Sequence, residues 1–146
     1  MTDDYDLQRF VDAQDRDGTY RQALSELRAG RKHSHWMWFV FPQIAGLGHS
    51  ATAQRYAVSG EAEANAYLDH PVLGARLREC SQALLDTGET DPVAVLGGID
   101  AQKLRSSMTL FSSVAPHDPV FGAVLDRFFD GSPDDATTQR LSRSRQ

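Results

Sequence analysis

The chain predicts an all-helical protein, a compact single domain of about eight short helices. Three observations carry that reading. Apolar residues recur three and four positions apart in most segments, as one face of a helix requires. No segment alternates apolar and polar residues, and no Asn-Gly hairpin signal occurs. Helix starts and stops are written repeatedly, by Asp-Pro at 91–92 and 118–119 and by glycines at 30, 88 and 131. The domain is expected to span 1–146, with order over about 6–141 and fraying at 1–5 and 142–146.

The elements follow in order. Leu7, Phe10 and Val11 share one face of a first helix, and Asp15 to Gly18 is a turn. Thr19 is placed to cap a second helix, with Tyr20, Ala23, Leu24 and Leu27 inward and Gly30 just past its end. Ser34 is expected to cap a short aromatic helix that Pro42 stops. Residues 44–50 form a loop, and Ser50 caps a helix through Ala53 and Tyr56. Residues 61–68 add a further turn or two.

Asp69, His70 and Pro71 then open the longest amphipathic helix, carrying Val72, Leu73, Leu77, Cys80 and Leu84. After Gly88, Asp91-Pro92 starts a short helix to Leu96, and Asp100 is expected to cap the next, with Leu104, Met108 and Phe111 in one stripe. Asp118-Pro119 opens the last core helix through Val124 and Phe128. A final short helix contains Leu141.

Bulk properties narrow the function classes. The 146 residues are 40% hydrophobic and 24% charged, enough for one core. No apolar stretch approaches the roughly 20 residues that span a bilayer, and the acidic N-terminus lacks a signal peptide's basic and apolar regions. A cytoplasmic protein without membrane contact is expected. The net charge of −5 and the lack of a long basic stripe point away from nucleic acid. The single Cys80 excludes an internal disulfide and sits on an apolar face, where cysteine acts as a small hydrophobe.

Chemistry concentrates in residues 31–50, RKHSHWMWFVFPQIAGLGHS. This stretch holds both tryptophans, two of seven phenylalanines and three of five histidines. His33, His35 and His49 lack a metal-binding spacing, so no metal site is expected. GLGHS lacks the Lys-Ser/Thr ending of a phosphate loop, there is no Gly-x-Ser-x-Gly elbow, and no cofactor motif is present. What remains is an aromatic wall with polar groups at its edge, the composition of a ligand pocket. Aromatic residues at this density also serve as plain core, and both readings stand at this point.

As a pocket, Trp36 or Trp38 would stack on a flat ring, while Arg31, Lys32 and Lys103 would hold an anionic group. Gln43, Ser50, Ser106 and Ser107 would supply hydrogen bonds. His35, as a histidine, and Asp100 are the candidates for proton transfer if the site is catalytic. The partner expected is a small anionic or nucleotide-like ligand. The alternative is a non-catalytic protein-interaction or homodimerising domain, in which an exposed aromatic patch meets a partner. Neither reading fixes an oligomeric state.

The segments GRKHSHWMWFVFPQIAGLGHS, AYLDHPVLGARLREC and DAQKLRSSMTLF resemble the bacterial domain-of-unknown-function 1810 family, over nearly the whole chain from about Leu7 to Leu141. The resemblance implies a compact, mainly helical domain and no particular reaction. It places Gly30, Arg31, Lys32, Ser34, His35, Trp36, Trp38, Pro42, Gln43, Gly46, Gly48, Ser50, Asp100, Lys103, Ser106, Ser107 and Thr109 in signature segments and leaves His33 outside the site. Some members are labelled calpastatin-like. The core-forming composition and punctuated helices here are unlike calpastatin's disordered chain.

Overall fold

Hydrophobic periodicity without strand signals leads to helices packed on helices. The computed structural model, which describes residues 5–144, consists of ten α-helices and one 3-10 turn among those residues. The helices are α1 (Gln8–Asp15), α2 (Thr19–Ala29), α3 (Met37–Val40), α4 (Ala51–Arg55), α5 (Glu61–Asp69), α6 (Leu73–Asp86), α7 (Pro92–Leu96), α8 (Gly98–Val114), α9 (Pro119–Phe129) and α10 (Asp135–Ser144). No strand occurs among the described residues, and the one β-bridge joins Ile44 to Val58. Helix α10 continues past Leu141 to Ser144. The expected fraying at 1–4 and 145–146 falls outside the described residues.

Helices α6 and α8 form the centre. Helix α8 packs on α5, α7, α9 and α10, and α6 on α2, α5 and α9. Phe111 of α8 stands 5.5 Å from Tyr67 and 5.9 Å from Phe121, and Phe10 meets Tyr67 edge-on at 5.1 Å. All four rings are fully buried, so the aromatics supply much of the area removed from water. Cys80 lies in the same core, where burial pushes its thiol up to about 12, an unreactive state.

Several caps are as expected. Asp91, Asp118 and Ser50 accept from the backbone amides of Val93, Val120 and Ala53. Gly30 ends α2 with φ of 74°, a backbone that costs a side chain-bearing residue more. Four expectations differ, each because a side chain has a better partner. Gly18 precedes α2, and Thr19 Oγ1 donates to Arg16 O instead. Asp69 ends α5 and α6 begins only at Leu73, where His70 Nδ1 accepts from the amides of Val72 and Leu73. Ser34 does not cap α3, a single turn whose N-cap is Trp36, and donates to Glu26 instead. Asp100 lies inside the first turn of α8, whose N-cap is Gly97, and its carboxylate faces two lysines.

Buried acids fasten the loops around this centre. Glu63 pairs with Arg9 at 2.9 Å, and Arg9 also donates to the carbonyls of Arg55 and Ala57, holding the chain before α5 against α1. Asp134 accepts from Gln102, Ser106 and Thr137, which ties the start of α10 to α8. Charged groups removed from water are tolerated when hydrogen bonds replace hydration this fully.

Candidate functional site

The segment 31–50 is anchored by an acid the sequence pattern did not mark. Glu26, on the inner face of α2, accepts from the backbone amides of His33 and Ser34 at 2.6 and 2.9 Å. It also accepts from Ser34 Oγ at 2.6 Å, Gln22 Nε2 at 2.8 Å and Trp36 Nε1 at 3.0 Å. Burial works to raise its carboxyl, but the bonds from Ser34, His33 and Gln22 outweigh it and hold the group at about 2. Trp36 is thereby fixed in the core with no exposed surface. It cannot stack on a ligand, which corrects its assignment to the site: the buried indole N–H needed an acceptor, and Glu26 provides one.

Two residues further on, Trp38 is half-buried and borders open space. A cleft of 400 Å³ runs between the 31–38 strand of chain and the α7–α8 junction, lined by Lys32, His35, Trp38, Gly98, Asp100 and Lys103 among others. It adjoins a wider cavity of 610 Å³ that shares Trp38, Gly98, Ile99 and Lys103 and adds Gln43, His49 and Ser50. A small recess of 120 Å³ continues behind Trp38, with Gln43, Gln54 and Tyr56. These sizes match sites for small molecules.

The polar groups in the cleft form a compact charge cluster. Lys32 Nζ lies 2.8 Å from Asp100 Oδ2, and Lys103 Nζ lies 3.5 Å from Asp100 Oδ1. Lys103 Nζ also sits 4.0 Å from the centre of the Trp38 ring, and Lys32 Nζ 5.1 Å from that of Trp36. Two ammonium groups against one carboxylate leave a positive excess. Helix α8 opens on the same space without a side-chain cap; the first amide to find a backbone acceptor is Ala101, bonded to Gly97 O. The amides of its first turn therefore add positive potential. A side chain at Gly97 or Gly98 would meet nothing within 4 Å, so this helix end is open.

The two segments singled out from the sequence thus meet at Trp38 and Lys103. Lys32, His35, Trp38, Gln43, Ser50, Asp100 and Lys103 line the joined cavities. Ser50 is also occupied as the α4 cap. Arg31 is exposed and lines neither cavity. Ser106 and Ser107 are buried against the core and do not line the cavities; Ser106 serves Gln102 O and Asp134, and Ser107 Oγ has no hydrogen-bond partner among the described residues. Both share the Lys103 side of α8 but lie one turn further along it, where packing covers them and Asp134, just before α10, meets Ser106. No Lys-Ser pair forms, since Lys103 is turned to Asp100 and Trp38.

His35 is exposed at the rim of the cleft, where a proton could pass to or from a bound molecule. Among the described residues no group of three or more His, Cys, Asp or Glu could hold a metal ion. No helix there is long and apolar enough to cross a membrane.

This is a compact helical domain with an aromatic and basic cleft at the start of the long helix α8. The chain belongs to the family described as Protein of unknown function (DUF1810), which matches residues 4–141. It is similar to the conserved hypothetical protein Rv1873 from Mycobacterium tuberculosis, whose crystal structure superposes with a TM-score of 0.91. The two are 45% identical, over 94% of this chain and 97% of the other. No curated protein matches the chain.

Proposed function

We propose that the protein binds a small nucleotide-like molecule, a flat ring carrying an anionic group, in the cleft between Trp38 and the start of α8. The observation that carries this reading is Lys103 Nζ poised 4.0 Å over the Trp38 ring beside an uncapped helix N-terminus. The ring would lie on Trp38, and the anionic group would face Lys103 and the first amides of α8. Gln43, whose amide has no hydrogen-bond partner among the described residues, would meet the ring's polar edge. Asp100 pairs with both Lys32 and Lys103 and would share them with the ligand.

The test is a thermal-shift and calorimetric screen of the four ribonucleoside 5′-monophosphates and of simple aromatic carboxylates. A ligand should raise the melting temperature by mass action. Its affinity should fall about tenfold or more in Lys103→Ala, the worth of one charge-assisted hydrogen bond. Arg31→Ala should bind as the wild type does. No shift from any member of the panel, or equal binding by Lys103→Ala, removes the reading.

A further inference from the structure

A second groove shares His35 and Trp38 with the first cleft. Its volume is 440 Å³, and Arg16, Arg55, Phe39 and Tyr56 line it together with those two residues. We propose that it is a second anion subsite of the same binding region, so that the ligand carries two separate anionic groups beside its flat ring, as a nucleoside 3′,5′-bisphosphate does on its ribose. This rests on the ligand reading given above.

The charge distribution supports the assignment. The first cleft sets Lys32 and Lys103 against Asp100, leaving a single excess charge for a single anionic group. The second groove has two guanidinium groups, and among the described residues no carboxylate lies in ion-pair distance of either. Several arginines elsewhere are held by partners. Arg9, Arg76 and Arg78 hold Glu63, Asp15 and Asp118, and Arg105 holds Ser132. The chain has 20 acidic and 15 basic residues, yet among the described residues no carboxylate is paired with these two. Two guanidinium groups bordering one groove suit a phosphate, which each can grip with parallel N–H bonds.

The floor of the groove is apt as well. Phe39 and Tyr56 stand 5.3 Å apart, and the Arg55 guanidinium lies 5.6 Å from the Tyr56 ring, which holds it near the groove without neutralising it. His35 and Trp38 belong to both cavities, so one molecule resting its ring on Trp38 has access to both. The side chain of Arg55 is spare to the fold: Arg9 holds the Arg55 carbonyl, at 2.7 Å, and not its guanidinium.

The experiment compares each ribonucleoside 5′-monophosphate with the corresponding 3′,5′-bisphosphate by calorimetry, on the wild type and on Arg16→Ala/Arg55→Ala. The expected result is bisphosphate binding at least about tenfold tighter than the monophosphate, with that advantage lost in the double variant while monophosphate affinity is kept. Monophosphate binding with no gain from the second phosphate overturns this inference and leaves the first reading standing. A gain that survives in the double variant also overturns it, because the second phosphate then lies elsewhere. If neither ligand class binds, both readings fall together.

Discussion

Trp36 and Trp38 stand two residues apart, each with a lysine ammonium near its ring, and they have opposite fates. Trp36 is sealed in the core, its N–H bonded to a buried carboxylate. Trp38 borders four cavities, with Lys103 above it. The difference lies in the partners and not in the indoles. Glu26 takes the hydrogen-bonding capacity of one and fixes the backbone that carries it, so the next aromatic on the single turn of α3 is turned outward. One region holds the fold together, and the other is kept in place by it.

The largest effect that could break this comparison comes from Trp36→Ala, which should destabilise by about 3–5 kcal/mol, the usual cost of deleting a large buried aromatic. A denaturant midpoint close to that of the wild type would show Trp36 is no core residue. Glu26→Gln should come next. The Glu26 carboxyl lies at about 2 in the folded protein against 4.5 ordinarily. A lowered folded value stabilises above the unfolded one, so the contribution is complete above pH 4.5 and is lost as pH falls toward 2. That difference corresponds to about 3 kcal/mol at neutral pH. Glu26→Gln should therefore melt lower at pH 7 and show a flatter stability profile between pH 5 and pH 2; a profile parallel to the wild type's would contradict the bracket.

A smaller effect on stability, about 1–2 kcal/mol, is expected of Trp38→Ala, because the side chain is only partly buried. Its ligand affinity should nonetheless fall by about tenfold or more if the ring stacks there. The smallest signal sharpens the contrast without ligand. Acrylamide should quench the emission of Trp36→Phe, which keeps Trp38, and leave that of Trp38→Phe almost untouched. Similar quenching constants for the two would erase the distinction between them.

Much of the architecture was legible in the residues. The Asp-Pro starts at 91–92 and 118–119, the left-handed Gly30 and the Ser50 cap are local devices, decided by side chains within a few positions of the backbone they satisfy. Residues 31–50 were recognisable by composition as a concentration of aromatic and basic groups. The sorting of side chains was not. Trp36 and Trp38 are indistinguishable by type, and Ser106 and Ser107 look as available as Lys103 until the packing around α8 is known. Glu26 gave no signal, because a lone Glu on an amphipathic helix most often faces water. Arg16 and Arg55, far apart in sequence and ordinary in type, come to one groove only through packing.

The sequence by itself determined that this chain is helical, where most helices begin and end, and which stretch concentrates aromatic and basic groups, since those properties depend on periodicity and on contacts a few residues long. The tertiary structure decided which tryptophan is core and which borders the cleft, that Asp100 faces Lys32 and Lys103 instead of capping a helix, and that Arg31 stands outside the cleft. Those outcomes turn on which donors and acceptors from distant segments reach one another once water is excluded, and no local pattern encodes that pairing.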